Sequence, residues 1–550
     1  MTATPHETER HGRPDGEAPG PPPAGAGGPA RTDATARTDA VAPADAPRWR
    51  PTAPWTLPLV PAALTLAITL IGIGNPSLWL DEAATISMTT RSYGEMLRVF
   101  DHLDLVHALY YMVMKPWVAV FGTSAVALRL PSALAMAAAA AGITVIGRRC
   151  LGTAAGVLAG LAWAVALQTS RWAQEGRSYA MTAAVAVLAT YLLVRAVDRD
   201  ERRPWPWFAG YAAAIALLGF LHLHGALLLA AHGTTLLLIR PRAGVWVRWT
   251  VSAVLAAAPL VPFALAARNQ KLQVEWLPKP TWDVAWSQLQ FFSGGRAIVW
   301  LVVTLSVIGV IADVRVRRGR PIALLSPGTV SLPAVALPWL VLPTVLLVAV
   351  SLVSDPVFFF RYTTYCLPAM ALLVGAGLAR VLAAAGRRAD QAAVMAVALV
   401  ALVTPSIQDH MFIREQGSRP EDMEKAADVI RDHARPGDAI VYLAGVVRWS
   451  AAAYPDVFGR LRDVDQRIDP VRAANLKGRD VYPRDLPPKL ARIDRVWVMS
   501  HQHLDLGNPV IQRRERAVQA GGPWRQVGRW TYTGGWLVLY VRTGPYRTSR

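Results

Sequence analysis

Cysteine is nearly absent from the chain: Cys150 and Cys366 are the only two in 550 residues. One ends an apolar run and the other lies inside one, so a disulfide framework is excluded. Charge is scarce as well, at 17% of residues against 53% hydrophobic, and acid is scarcer than base, with 38 Asp and Glu against 57 Lys and Arg. The apolar residues are gathered in blocks of membrane-spanning length rather than at amphipathic spacing, which makes this a polytopic membrane protein. The formal charge of +19 is clustered between those blocks, where it suits cytoplasmic loops and anionic lipid. No nucleic-acid motif and no phosphate-binding glycine loop are present, and no small-residue cleavage signature marks a removable signal peptide. Residues 1–52 contain almost no large apolar side chain, so they are expected to form a disordered cytoplasmic tail. Richness in Ala, Arg, Pro and Gly is the composition of a high-GC bacterial genome.

What is present against this background is a pair of adjacent acids. Asp81 and Glu82 lie in Ser77-Leu-Trp-Leu-Asp-Glu-Ala-Ala-Thr85, directly after the first apolar run, Leu57 to Gly74. Acids in the first turn of a helix are favoured by the helix dipole, and that is the ordinary reading of such a pair. The apolar flanks argue for more, because a carboxylate at a membrane interface is costly without a task. General-base chemistry is one such task.

Charge bias sets the topology. Arg48 and Arg50 before the first run place the N-terminus in the cytoplasm, so Asp81 and Glu82 lie outside. The run from Asp104 to Phe121 is short for a span and carries Lys115-Pro116 at its middle. Treating it as interfacial gives one long external loop, 75–123, and leaves Arg148-Arg149 and every later basic loop inside. About eleven spans follow on this count, within a membrane domain covering 53–407. From about Gln408 the composition turns soluble, and 408–550 is expected to form a small extracytoplasmic α/β domain. Its expected elements are a helix over Asp422–Ala434, strands over Ala439–Leu443 and Arg495–Met499, and a hairpin turning at Gly534-Gly535.

The order of these parts resembles a known family. Leu-Trp-Leu-Asp81-Glu82-Ala, Asp104-Leu-Val-His107-Ala-Leu-Tyr-Tyr, Ala-Leu-Arg129-Leu-Pro131-Ser, Gln174-Glu175-Gly-Arg177-Ser-Tyr179-Ala and Phe360-Arg361-Tyr362 resemble the GT-C superfamily of membrane glycosyltransferases. More closely, the chain is similar to bacterial relatives of the polyprenyl-phosphate-mannose protein mannosyltransferases and of the lipid A aminoarabinose transferase, over about residues 55 to 410. It departs from the family pattern His-Pro-Pro-Leu-Tyr by reading His107-Ala108-Leu109-Tyr110.

The resemblance implies transfer of a sugar, with mannose the implied one, from a polyprenyl-phosphate donor to a cell-envelope glycan, glycolipid or protein on the outer face of a bacterial plasma membrane. It further implies Asp81 as general base, with Glu82 orienting a sugar hydroxyl or tuning Asp81. Asp104, His107 and Tyr362 are implied to line the acceptor or sugar pocket. Arg361, Arg177 and Arg171 are the expected ligands of the lipid phosphate, since guanidinium groups grip phosphate oxygens in a fork. No metal-binding cluster is legible, and the sequence is silent on metal dependence. His222 and His224 are two apart at a helix end and make a poor metal pair. Trp276, Trp282 and Trp286 are expected as interface anchors. The alternative is a lipid or sugar-lipid transporter, which predicts charges within the spans and two similar halves.

The topology is checkable. Arg149→Cys in an otherwise cysteine-free chain is expected to react with a membrane-impermeant maleimide only after the cells are opened. Labelling in intact cells would move 104–121 into the membrane.

Overall fold

Helices account for most of the described residues before Ser354 in the computed structural model, which describes residues 54–199, 201–270, 277–316, 330–385, 387–502 and 508–544. The expected N-terminal tail, Trp276 and Arg317-Arg318 lie outside the described residues. The helices are α1 (Leu59–Leu70), α2 (Leu80–Thr89), α3 (Tyr93–Phe100), α4 (Ala108–Phe121), α5 (Ala125–Leu151), α6 (Thr153–Val165), α7 (Leu167–Ala173), α8 (Tyr179–Ala196), α9 (Pro204–Leu221) and α10 (Leu228–Ile239). They continue through α11 (Ala243–Ala257), α12 (Leu260–Arg268), α13 (Asp283–Ser293), α14 (Val299–Val316), α15 (Leu332–Val353), α16 (Leu367–Ala384), α17 (Arg388–Val403), α18 (Ile407–Phe412) and α19 (Met423–His433).

Six of the described helical runs are long and apolar enough to cross a membrane, and two bent pairs raise that number to as many as eight. The bent pairs depart from the straight spans that the sequence implies. The run expected over Gly152 to Gln168 breaks between α6 and α7 with a 59° bend, at Ala166, whose backbone is extended. The run expected over Thr250 to Ala267 begins at Ala243 and bends by 41° between α11 and α12. Pro259 stands at this second break, where its ring and missing N–H interrupt the hydrogen-bond ladder.

Small residues let the helices approach closely, as membrane helix contacts require. A Cβ added at Gly377 of α16 would lie 2.0 Å from the Leu305 carbonyl of α14, and one at Gly375 would lie 2.4 Å from the Ala159 backbone of α6. Around them a single apolar core runs from Ile143 and Trp163 to Trp339 and Leu372.

Between α1 and α5 the chain makes the short helices that carry the acids. Ser92 starts α3 with a capping box, its hydroxyl accepting from Glu95 N–H while the Glu95 carboxylate accepts from Ser92 N–H. Lys115, the charge that interrupts α4, donates to the Thr89 carbonyl at 3.3 Å and to the Arg91 carbonyl. It thereby caps the C-terminus of α2, where a cation is favoured.

The C-terminal region matches its sequence pattern. Asp422 caps α19 by accepting from Lys425 N–H at 2.9 Å. The strands are β1 (Ala439–Tyr442), β2 (Arg462–Asp463), β3 (Gln466–Ile468), β4 (Arg479–Asp480), β5 (Arg495–His501), β6 (Trp524–Tyr532) and β7 (Gly535–Arg542). Five of them form a sheet in the order β2-β1-β5-β7-β6, with β1 parallel to β2 and β5, and the β5–β7 and β6–β7 pairs antiparallel. The β6–β7 turn uses Gly534 at φ 89°, a conformation open to glycine without strain. One face of the sheet packs on α19 through Tyr442, Trp497 and Leu537, and the other on Leu486, Leu490 and Val518.

This region is bonded to the segments on either side of α2. Ser77 N–H donates to the Gln416 carbonyl at 3.0 Å, Glu424 N–H donates to Ser77 Oγ at 2.9 Å, and Arg91 donates to the Asn475 carbonyl at 2.7 Å.

The close helix contact gives a test. Gly377→Leu is expected to force α14 from α16 and lower the melting temperature of the detergent-solubilised protein by several degrees, while Ala379→Leu, on a less crowded face, changes it little.

Candidate active site

The acidic pair occupies the first turn of α2, as the capping reading requires, but neither carboxylate caps it. The two side chains diverge. Glu82 is fully buried and takes both of its oxygens to Arg129 of α5, which donates from Nε to Oε1 and from Nη2 to Oε2, each at 2.7 Å. Gly176 N–H donates to Oε1 at 2.9 Å. Burial pushes the Glu82 carboxyl up, but the Arg129 guanidinium and the Gly176 N–H more than offset it and hold the group below the usual carboxylate range. Both Glu82 oxygens are thereby engaged inside the protein, by Arg129 and by the Gly176 N–H.

Arg129 has no exposure and uses its other donors on backbone, reaching the carbonyls of Ile73 at 2.8 Å, Pro76 at 2.9 Å and Ser77 at 3.1 Å. It thus locks the chain between α1 and α2 and the start of α2 into one geometry.

Asp81, one residue earlier, turns the other way. Its side chain is 20% exposed, with Oδ2 at 3.4 Å from Arg361 Nη1 and 3.6 Å from Arg177 Nε. Neither approach is a hydrogen bond: among the described residues Asp81 Oδ2, Arg177 Nε and Arg361 Nε all lack a partner. A carboxylate is therefore held between two cations by charge alone.

Each arginine is placed by its own segment. Residues 174–177, between α7 and α8, are clamped from three helices. Gln174 Nε2 donates to the Thr69 and Ile71 carbonyls at 2.9 and 2.8 Å, Ser132 Oγ to the Glu175 carbonyl at 2.6 Å, and Thr85 Oγ1 to the Gly176 carbonyl at 3.0 Å. Arg361 opens the 3₁₀ turn Phe360–Cys366. Ser351 Oγ accepts from Val357 and Phe358 N–H, and Tyr365 Oη donates to the His224 carbonyl at 2.8 Å, fixing that turn from both ends.

From Asp81 a relay runs to the other expected acid. Arg177 Nη1 donates to Tyr111 Oη at 2.8 Å, and Tyr111 Oη donates to Asp104 Oδ2 at 2.8 Å. Asp104 adopts a left-handed backbone at φ 58°, which turns the chain into α4. Burial pushes the Asp104 carboxyl up, against the pull of Arg177 and the Tyr111 hydroxyl. His107 lies beside Tyr111, ring centroids 6.1 Å apart, and burial together with the Arg177, His222 and Arg361 charges holds it neutral. The structure thus brings Asp81, Arg177, Arg361, Asp104 and His107 into one neighbourhood.

Tyr362, His222 and His224 form its aromatic wall. The two imidazoles stand 5.1 and 5.4 Å from the Tyr362 ring and 5.3 Å from each other. Their spacing in sequence implied separate faces of a helix, but α9 ends at Leu221 and His222 is extended, so both reach the same ring. Among the described residues no group of three His, Cys, Asp or Glu side chains could hold a metal.

Arg361 and Arg171 face one cavity of about 370 Å³, shared with Trp79, Trp172, Glu175, Phe359 and Asp409. Arg171 is paired there with Glu175. Leu167 and Gln168 carry the lining on into a smaller apolar pocket bounded by Trp163 and Met370. Met370 and Phe292 also line an apolar groove of about 680 Å³ between α13 and α15. Arg129 and Tyr111 had no role in the sequence reading. The available signal was a charge four residues into the apolar run of α5, where an unpaired arginine is not tolerated.

Residues 108–266 match the family model described as dolichyl-phosphate-mannose-protein mannosyltransferase. Among solved structures, ArnT from Cupriavidus metallidurans in the apo state aligns over 88% of this chain and 97% of its own, at 14% identity and a TM-score of 0.55. The same protein bound to undecaprenyl phosphate aligns over the same shares at 15% identity and 0.54. Identity this low shows that the chain shares the fold of these structures. The archaeal oligosaccharyltransferase AglB from Archaeoglobus fulgidus aligns over 88% of this chain and 73% of its own at 10% identity and 0.48, too distant to support an argument. No curated protein sequence matches the chain.

The buried pair makes a direct prediction. Arg129→Gln strands Glu82 in a dry interior, a change that typically costs about 3–5 kcal/mol. Its expected outcome is loss of the monodisperse peak in size-exclusion chromatography, and an undisturbed peak and melting curve would refute the locking role.

Proposed function

We propose that this chain is an inverting glycosyltransferase of the outer membrane face, taking a sugar from a polyprenyl-phosphate donor with Asp81 as general base. The observation that carries it is the partly exposed Asp81 carboxylate set between Arg177 and Arg361, beside the cavity that Arg361 lines. The acceptor oxygen attacks the anomeric carbon and its proton passes to Asp81. The bond from that carbon to the phosphate oxygen breaks, with its electron pair leaving on the polyprenyl phosphate. That product gains a negative charge, which the guanidinium groups stabilise. Since the arginines hold Asp81 without hydrogen bonds, they can turn to the phosphate as it arrives and leave the carboxylate free to take a proton.

The donor's two parts fit the two kinds of lining. Arg361 and Arg171 meet the phosphate, and Trp79, Trp172 and Phe359 offer stacking faces to the sugar. The apolar pocket and groove beyond them suit an isoprenoid tail. Gln288 of that groove donates to Thr363 Oγ1 at 2.8 Å, tying it to the turn that holds Arg361. Asp104, His107 and Tyr362 are assigned to the acceptor or sugar side, and Arg177 to the phosphate. Mannose is the sugar named by the matching family model, and the acceptor is a cell-envelope glycan, glycolipid or protein.

The setting follows the same reading: a bacterial plasma membrane, N-terminus inside, with 53–407 as the membrane domain and 408–550 outside. Counting each bent pair as one span and adding 59–70, 223–239 and 299–311 to the six long runs gives eleven spans, with 105–121 at the interface. Supporting this, Arg149 at the end of α5 pairs with Asp198 after α8, so those basic loops share a side. The acids and arginines of the site gather at the other helix ends, with the C-terminal region bonded beside them.

Purified protein given radiolabelled polyprenyl-phosphate sugars and an envelope extract tests the assignment. Asp81→Asn is expected to lose at least about a hundredfold in transfer, the usual scale for a general base, while still binding undecaprenyl phosphate. Arg361→Ala is expected to lose that binding. Unchanged transfer by Asp81→Asn would remove the base assignment.

A further inference from the structure

Arg419, on the segment that leads from α18 to α19, has no part in the chemistry above. It is 2% exposed, yet among the described residues only its Nη2 finds an acceptor, the Gln174 carbonyl at 2.8 Å. Its Nε and Nη1 are buried without partners. A guanidinium carries five N–H donors, and an interior position is tolerated when acceptors meet them. The charged groups around it are Arg171, Glu175, Arg129 and Glu82.

Of the two acids, Glu82 is committed to Arg129 and Gly176. Glu175 is half committed: Arg171 holds its Oε2, while its Oε1 is buried with no hydrogen-bond partner. The same small volume therefore contains one unused carboxylate oxygen and two unused guanidinium nitrogens. The arginine that holds the carboxylate is the more exposed of the two, at 21% against 1% for Glu175, and it faces the cavity.

We propose that Glu175 is a counter-ion shared between two arginines. It holds Arg171 while the cavity is empty, and it passes to Arg419 when an anionic lipid-phosphate headgroup arrives and takes Arg171. Without Arg419, releasing Arg171 would strand the buried Glu175 carboxylate, an expensive state. With Arg419 in place, one ion pair is exchanged for another and the phosphate gains a cation. Arg419 never touches the donor: it is a positioning residue, delivered by the segment that joins the bundle to the C-terminal sheet. The exchange rests on the lipid-phosphate reading of the cavity.

The test is equilibrium binding of radiolabelled undecaprenyl phosphate to the full chain in nanodiscs. Arg419→Gln is expected to weaken binding about tenfold or more, the scale for losing one partner of a buried charge pair. Glu175→Gln, which frees Arg171 permanently, is expected to bind at least as tightly as wild type. The double variant Glu175→Gln with Arg419→Gln is expected to return to within about threefold of wild type, a rescue that a merely structural Arg419 would not give. Wild-type binding by Arg419→Gln, or a double variant as weak as Arg419→Gln alone, would overturn the exchange while leaving the donor site standing. If Arg419→Gln does not fold, Glu175→Gln decides alone, since weaker binding by it contradicts a shared counter-ion. A wild-type protein that does not bind the lipid phosphate would overturn the donor reading and the exchange with it.

Discussion

Everything at the site depends on one buried ion pair. Arg129 and Glu82 meet through two 2.7 Å hydrogen bonds with no exposure on either side. Removing two charges from water is expensive, and a pair of this kind contributes little net stability compared with apolar residues of equal volume. What it contributes is geometry. The guanidinium fork is rigid, so five donors aimed at Glu82 and at the carbonyls of Ile73, Pro76 and Ser77 leave the chain between α1 and α2 one path. Asp81 inherits its direction from that path.

The neighbouring acids divide their work accordingly. Adjacent residues on a helix point about 100° apart, so Glu82 can face Arg129 in the interior while Asp81 faces Arg177 and Arg361. Glu82 is fixed, ionised and saturated. Asp81 is approached by two cations, Arg177 and Arg361, that do not hydrogen-bond its Oδ2, so that oxygen stays uncommitted. Asp104 belongs to the same charge system through Tyr111 and Arg177, but burial raises its affinity for a proton. The three carboxylates therefore sit in three environments, a usual means by which a site gives different roles to one functional group.

Much of this was legible from residue order. Apolar blocks locate a helix for each expected span, because in a membrane the length and polarity of a segment decide its fate. The acidic pair announces itself against an apolar setting. The C-terminal strands and the Gly534-Gly535 turn follow from local pattern. Long-range partnership was not legible. Nothing local says that Arg129 reaches Glu82, 47 positions away, or that Tyr111 bridges Arg177 and Asp104. That His222 and His224 meet the same ring was hidden for a related reason. Side-chain direction at a helix end depends on where the helix stops, and α9 stops one residue before His222. The bend between α6 and α7 has no proline or glycine at it, so no local signal marks it.

The bonds from the C-terminal region to Ser77 and Gln174 bear on the order in which the chain is made. Ser77 meets Gln416 and Glu424, and the Gln174 carbonyl meets Arg419. The ribosome produces the acidic pair some 340 residues before the last of these partners. Until residues 416–424 have been translated, the stretch before α2 lacks these contacts. A nascent chain already threaded through the bilayer therefore has its carboxylates in place but not their full setting, and competence is acquired only near the end of synthesis.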